Sequence, residues 1–192
     1  MRTRPAVEAP PGASFQISRV KARSEFSQTS LVDPAEALRA EVEARVEAAL
    51  ERLFSEARGL VGVYWVQCLH ARRTRSRSEW SRLGVRARRL GPGGALLIEW
   101  YRVVWVRRAG RPLARSRYLA KGRGERYREA TLARAAQPWQ RGLVAELEDA
   151  FAELRRLARS LGRVRLQARL HAGLARRLAG EPATGTGEDG FP

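Results

Sequence analysis

The stretch "LIEWYRVVWVRR", Leu97 to Arg108, constrains the fold of this chain more than any other. β-Branched and aromatic residues dominate it, "GPGG" precedes it and "AGRP" follows it. Such a run between turn residues predicts a strand. "LGVRARRL" (Leu83–Leu90) and "LARSRYLAK" (Leu113–Lys121) alternate with a period of two on either side of those turns. Three runs of this kind predict an antiparallel meander. Alternation puts Leu96, Ile98, Trp100, Arg102, Val104 and Val106 on one face of the central strand. Leu97, Glu99, Tyr101, Val103, Trp105 and Arg107 fall on the other. Neither face is purely apolar, so each expects partial cover from a helix or a ligand. Trp100 is assigned to the core.

Helices flank this meander. Asp33-Pro34 opens the first, with Asp33 as cap, Pro34 in the first position and Glu36 completing a capping box. Leu38, Val42, Val46, Leu50, Leu53 and Phe54 follow at helical spacing. The stripe extends through Ala57, Val61, Tyr64, Trp65 and Cys68 as one long helix, although "VGVYWV" also reads as a strand. After the sheet, Glu129 to Ser160 is helical, with Pro138 and Gly142 near its start and Gly162 breaking it. A last helix carries Leu166, Leu170, Leu174 and Leu178 at four-residue spacing. That stripe has two readings, intramolecular packing or a face for a partner or a second copy. The expected class is α+β, a three-stranded antiparallel meander flanked by one long N-terminal helix and two C-terminal helices. Residues 1–32 read as a flexible basic arm, 33–179 as a single nucleic-acid-binding domain, and 180–192 as a disordered tail.

Charge bounds the function. The 192 residues carry 37 Lys+Arg against 20 Asp+Glu, a net charge of +17. Only Lys21 and Lys121 are lysines, so 35 of these cations are arginines. Arg72 to Arg128 holds eighteen of them against three carboxylates, whereas Asp33 to Arg58 holds four against seven. The excess is concentrated on the sheet and the loop before it, and it implies a polyanionic partner. Chemistry for catalysis is sparse. His70 and His171 stand far apart, Cys68 is the only cysteine, and no H-x-x-x-H, D-x-D or Cys-x-x-Cys spacing occurs. Neither "GPGG" nor "KGRGERY" matches a phosphate-wrapping loop. No enzyme activity, cofactor or metal is expected. The longest apolar run, Leu60 to Leu69, contains Gln67 and falls short of the roughly 20 residues a bilayer needs. No secretory or membrane segment is expected, and the location read from this is cytoplasmic.

Nucleic-acid contact has positive support. Arg72, Arg73, Arg75, Arg77 and Arg82 are interspersed with Ser and Thr, all good phosphate donors. Arg86 and Arg88 lie on the first strand, Arg102, Arg107 and Arg108 on the second, and Arg115 and Arg117 on the third. Arginine forks on a β-ribbon suit guanine edges in the major groove. Lys121, Arg123 and Arg126 in "KGRGERYR" suggest a phosphate clamp. The alternative is a solvated basic face.

Four pieces carry a family likeness: "GVRAR" in the first strand, "IEWYRVVW" in the second, the turn "KGRGERY" and the helix segment "FAELR". In this order they resemble the MobI-type auxiliary mobilisation proteins encoded by integrative and conjugative elements and related plasmids. The likeness covers about Leu83 to Arg165. It implies a small accessory factor acting at the origin of transfer beside the relaxase that nicks DNA. Tyrosine relaxases hold a metal through three histidines, and two distant histidines do not form that set. The expected function is a non-enzymatic accessory protein binding double-stranded DNA and a relaxase or other transfer protein, with a homodimer left open. An adaptor gripping an acidic protein, or an RNA-binding protein using the aromatics for stacking, are the alternatives.

Overall fold

A computed structural model describes residues 29–91 and 94–180. The order is α1 (Thr29–Thr74), β1 (Leu83–Arg89), β2 (Leu96–Arg108), β3 (Arg111–Tyr118), α2 (Glu129–Ala135) and α3 (Arg141–Leu178). Single 3-10 turns stand at Arg77–Glu79 and Pro138–Gln140. The strands form one antiparallel sheet in the order β1-β2-β3, which is the meander and the α+β class expected. The stretch "VGVYWV" is helical. In a helix Ala57, Tyr64 and Cys68 come to one buried face, while Gly59 and Gly62 stay exposed, where they weaken propensity but interrupt no packing.

Two boundaries differ from expectation. α1 begins at Thr29, so Pro34 lies inside the helix and Asp33 is not its cap. Pro34 is the sixth residue of α1, past the four amides that have no intrahelical acceptor, so it costs the helix one i→i−4 hydrogen bond in its second turn. The C-terminal helices are divided at Pro138, not at Gly162. Gln137, the residue before that proline, is extended (φ −67°, ψ 152°), as the clash with a proline ring demands. α3 then runs unbroken through Gly162. One glycine costs a helix about 1 kcal/mol. Packing outweighs that, because α3 lies antiparallel along α1 on both sides of Gly162. Arg165 reaches Glu47 (3.1 Å), Arg169 reaches Glu43 (2.7 Å) and Arg176 reaches Glu36 (3.3 Å). The expected arm falls almost wholly on residues 1–28, and the tail on 181–192; both lie outside the described residues. Among those described, no helix is long and apolar enough to cross a membrane.

The core lies between the sheet and the inner halves of α1 and α3. Trp100 is fully buried, in edge-to-face contact with Tyr64 (5.4 Å) and Phe151 (5.9 Å), and Leu83, Val85 and Ile98 surround it. Leu96, Ile98 and Trp100 in the first half of β2 therefore share the core side, and beyond them the same face opens to solvent at Arg102. The free edge of β1 is covered by α1. Tyr64 donates to the Leu83 carbonyl (2.6 Å) and Trp65 Nε1 to that of Val85 (3.2 Å), which removes an edge that could pair with another chain.

Two charges are also buried. Glu148 accepts from Trp100 Nε1 (2.7 Å), the Tyr127 amide (2.8 Å) and Arg155 Nη1 (2.9 Å). Arg155 donates in addition to the carbonyls of Ile98 (3.1 Å) and Glu125 (2.8 Å). Every strong group in this pair is satisfied, which is the condition for keeping an ion pair out of water. It ties β2, the segment before α2 and α3 into one body.

Candidate nucleic-acid interface

β2 outruns its first partner. β1 pairs with Leu96 to Arg102, the Val103 amide donates to the Arg82 carbonyl (2.7 Å), and beyond that β2 is paired with β3 alone. The result is a two-stranded ribbon extending past the helices. Register fixes its two faces. Arg102 lies opposite Arg117, Val104 opposite Arg115, Val106 opposite Leu113, and Arg108 opposite Arg111. On the reverse face Val103 meets Ser116, Trp105 meets Ala114, and Arg107 meets Pro112. One face thus gathers Arg102, Arg108, Arg111, Arg115 and Arg117, all exposed. None of the five has an ion-pair partner among the described residues. Like charges directly opposite one another destabilise a sheet. Two such pairs, Arg102 with Arg117 and Arg108 with Arg111, are carried by the free protein, and a polyanion laid across them would relieve the repulsion. Arg111 was hidden in the "AGRP" turn and had not been singled out from sequence. Its signal was present, since a two-residue turn makes the flanking residues partners.

The loop after α1 stands at the root of this ribbon. α1 is antiparallel to β1: Arg89 bonds Glu51 (2.9 Å) at one end and Tyr64 bonds Leu83 at the other, so the last turns of α1 point to the end where the ribbon emerges. Arg72 and Arg77 lie over Trp80, at 5.8 and 5.6 Å, and Arg75 lies over Trp139 at 5.3 Å. The loop is pinned from below, because Gln137 donates to the carbonyls of Ser78 and Trp80 and Trp139 Nε1 donates to that of Glu79 (3.0 Å). Glu79 accepts from the Ser76 hydroxyl (2.8 Å), and that bond holds its carboxyl below the ordinary range. Stacking on an indole occupies the face of a guanidinium and leaves the N–H edges of Arg72 and Arg77 for phosphate, whereas Arg75 Nη1 also bonds Glu79 (3.4 Å). Arg73 and Arg82 are exposed beside them.

The remaining residues singled out from sequence lie elsewhere. Arg86 and Arg88 share the outer face of the sheet, as spacing predicts, but both bond Glu99 (3.3 and 3.1 Å), and Arg86 stacks on Tyr118 at 4.6 Å. Arg107 is on the reverse face of the ribbon. Lys121 bonds the Gly124 carbonyl and lies 3.9 Å from Glu125, Arg126 bonds Asp149, and Arg123 is exposed. Their segment passes beneath the first half of β2, where the Trp100 amide donates to Tyr127 (3.4 Å). The structure therefore brings together the ribbon and the Arg72–Arg82 loop, and not the glycine-rich turn. A cleft of about 720 Å³ beside that turn is lined by Leu96, Tyr127, Arg155 and Arg159, whose cations are already paired with Glu148 and Glu125. Among the described residues no three His, Cys, Asp or Glu side chains converge as metal ligands.

The model of one protein family, described as MobI protein, matches residues 53–169. No curated protein and no solved structure matches the chain. The matched span runs from the inner half of α1, through the sheet, to the outer part of α3, wider than the segment that carries the likeness in the sequence. It contains both the ribbon and the stacked arginine loop. Covering more than half of the 192 residues, it shows that the chain belongs to the MobI family of mobilisation proteins, which act in conjugative transfer.

Proposed function

We propose that the protein is a non-enzymatic accessory factor that binds double-stranded DNA at an origin of transfer and assists the relaxase there. The observation that carries this reading is the five-arginine face of the ribbon, unpaired with carboxylates among the described residues and self-repelling in two cross-strand pairs. A two-stranded ribbon fits the major groove of B-DNA, and arginine forks there reach guanine O6 and N7. The stacked arginines of the Arg72–Arg82 loop would hold flanking phosphates. Duplex RNA suits this geometry poorly, because its major groove is too narrow for a ribbon to enter.

If five phosphates are neutralised, log K for duplex DNA falls against log salt with a slope of about −4.5. Arg115→Ala with Arg117→Ala removes two base-edge contacts, so duplex affinity falls by about 1–3 kcal/mol per contact and sequence discrimination relaxes, while helical content is unchanged. The same variant should lose any stimulation of relaxase nicking on supercoiled origin DNA. A flat salt dependence, or equal affinity for duplex RNA, would overturn the reading.

A further inference from the structure

Among the described residues, nothing covers one face of the second half of α3. Leu166, Leu170, Leu174 and Leu178 are 53, 48, 53 and 78% exposed. The seam against α1 is filled instead by small residues, Ala168 and Ala172, which are buried. Leu170 is two residues from each of these alanines, so it points to the opposite side of the helix. The stripe is therefore not packed against α1 or the sheet. Contiguous exposed leucines on a helix mark an interaction surface.

Charge identifies the occupant. From Leu154 to Gly180 the chain has eight arginines and no carboxylate; six of them pair with carboxylates elsewhere in the fold, which leaves Arg163 and Arg177 beside the leucines. Were a second copy to dock antiparallel about Leu170, Arg163 would lie opposite Arg177 of that copy. In a parallel pairing each arginine would face its own equivalent. Either symmetric arrangement sets like charges against each other at the rim of a drying patch, which costs affinity. Arg163 is exposed and has no ion pair among the described residues. Arg177 bonds only the Gly173 carbonyl (3.3 Å), through Nε, which leaves its other nitrogens for a carboxylate.

We infer that this face docks an amphipathic helix of another protein, one whose apolar stripe is flanked by Glu and Asp. The surface is remote from the ribbon. α3 ends beside Glu36 while the ribbon emerges near Thr74, and 38 helical residues separate these by about 57 Å. The protein would then hold DNA at one end and a protein helix at the other.

The test titrates full-length protein into a labelled synthetic helix with leucines at heptad a and d positions and glutamates beside them, at about 0.15 M salt. The expected result is micromolar binding, weakened about tenfold or more by Leu170→Ser with Leu174→Ser. A lysine-flanked version of the peptide should not bind. Duplex DNA affinity should stay the same in the serine variant, which separates this surface from the ribbon. Equal peptide binding by the serine variant would overturn the inference, as would displacement of the peptide by duplex DNA. So would a wild-type dimer that the serine variant converts to monomer, since the occupant would then be a second copy.

Discussion

Trp100 and Trp105 stand five residues apart on one strand and have opposite roles. Trp100 is wholly buried with its indole N–H on Glu148, whereas Trp105 is 66% exposed on the reverse face of the ribbon. Trp100→Ala is expected to cost about 3–5 kcal/mol in urea denaturation. Trp105→Ala should leave the midpoint close to wild type. Equal losses would mean that the ribbon is packed against something. Alternation put Trp100 on one face with Leu96 and Ile98, and the bulk of an indole favoured the core, but neither could reveal Glu148. Val144, Glu148, Phe151 and Arg155 repeat at three- and four-residue spacing, so both charges sit on the buried stripe of α3. Charged residues at such positions ordinarily turn to water. The approach of Trp100 and the Tyr127 amide, together with Arg155 from the same helix, gives Glu148 the partners its burial needs.

At the scale of elements, turn chemistry and glycine positions carry testable strain. Ala109 and Gly110 both have positive φ, 49° and 76°, as the two-residue turn joining β2 to β3 requires. Alanine in that conformation costs about 1–2 kcal/mol, so Ala109→Gly should raise the melting temperature. Gly162→Ala should do the same through α3, by up to about 1 kcal/mol, since a methyl there meets no atom within 4 Å. A lower melting temperature for Gly162→Ala would show that α3 needs a break there. The strands and the long α1 were legible because period two and period 3.6 separate cleanly. The division of the last two helices was not. A glycine and a proline both read as breakers, and the outcome depended on whether α1 lay alongside to support the continuous helix.

Across the whole molecule, the outer halves of α1 and α3 form a stalk joined largely by arginine–carboxylate pairs. The Arg169 guanidinium, bonded to Glu43, holds that carboxyl below its ordinary value of 4.5. A carboxyl whose folded value is depressed contributes stability above its unfolded value and loses it as pH falls through the folded one. The stalk should therefore loosen below about pH 4.5, with faster amide exchange in the outer half of α1 than around Tyr64. Such partly exposed pairs contribute little each, so the body around Trp100 should stay folded at that stage. Simultaneous exchange throughout would mean that stalk and body unfold together.

The sequence by itself determined the class, the strand order and the location of the positive charge. Each of these follows from local periodicity or from a count, and neither needs a partner segment to be known. Tertiary structure decided which arginines lie together. Fifteen cations looked alike along the chain, yet Glu99, Glu125 and Asp149 bond Arg88, Lys121 and Arg126, while the ribbon face has no such carboxylate among the described residues. It also decided that the leucine stripe faces out. A four-residue spacing marks one side of a helix, and only the buried alanines against α1 say which side the fold uses.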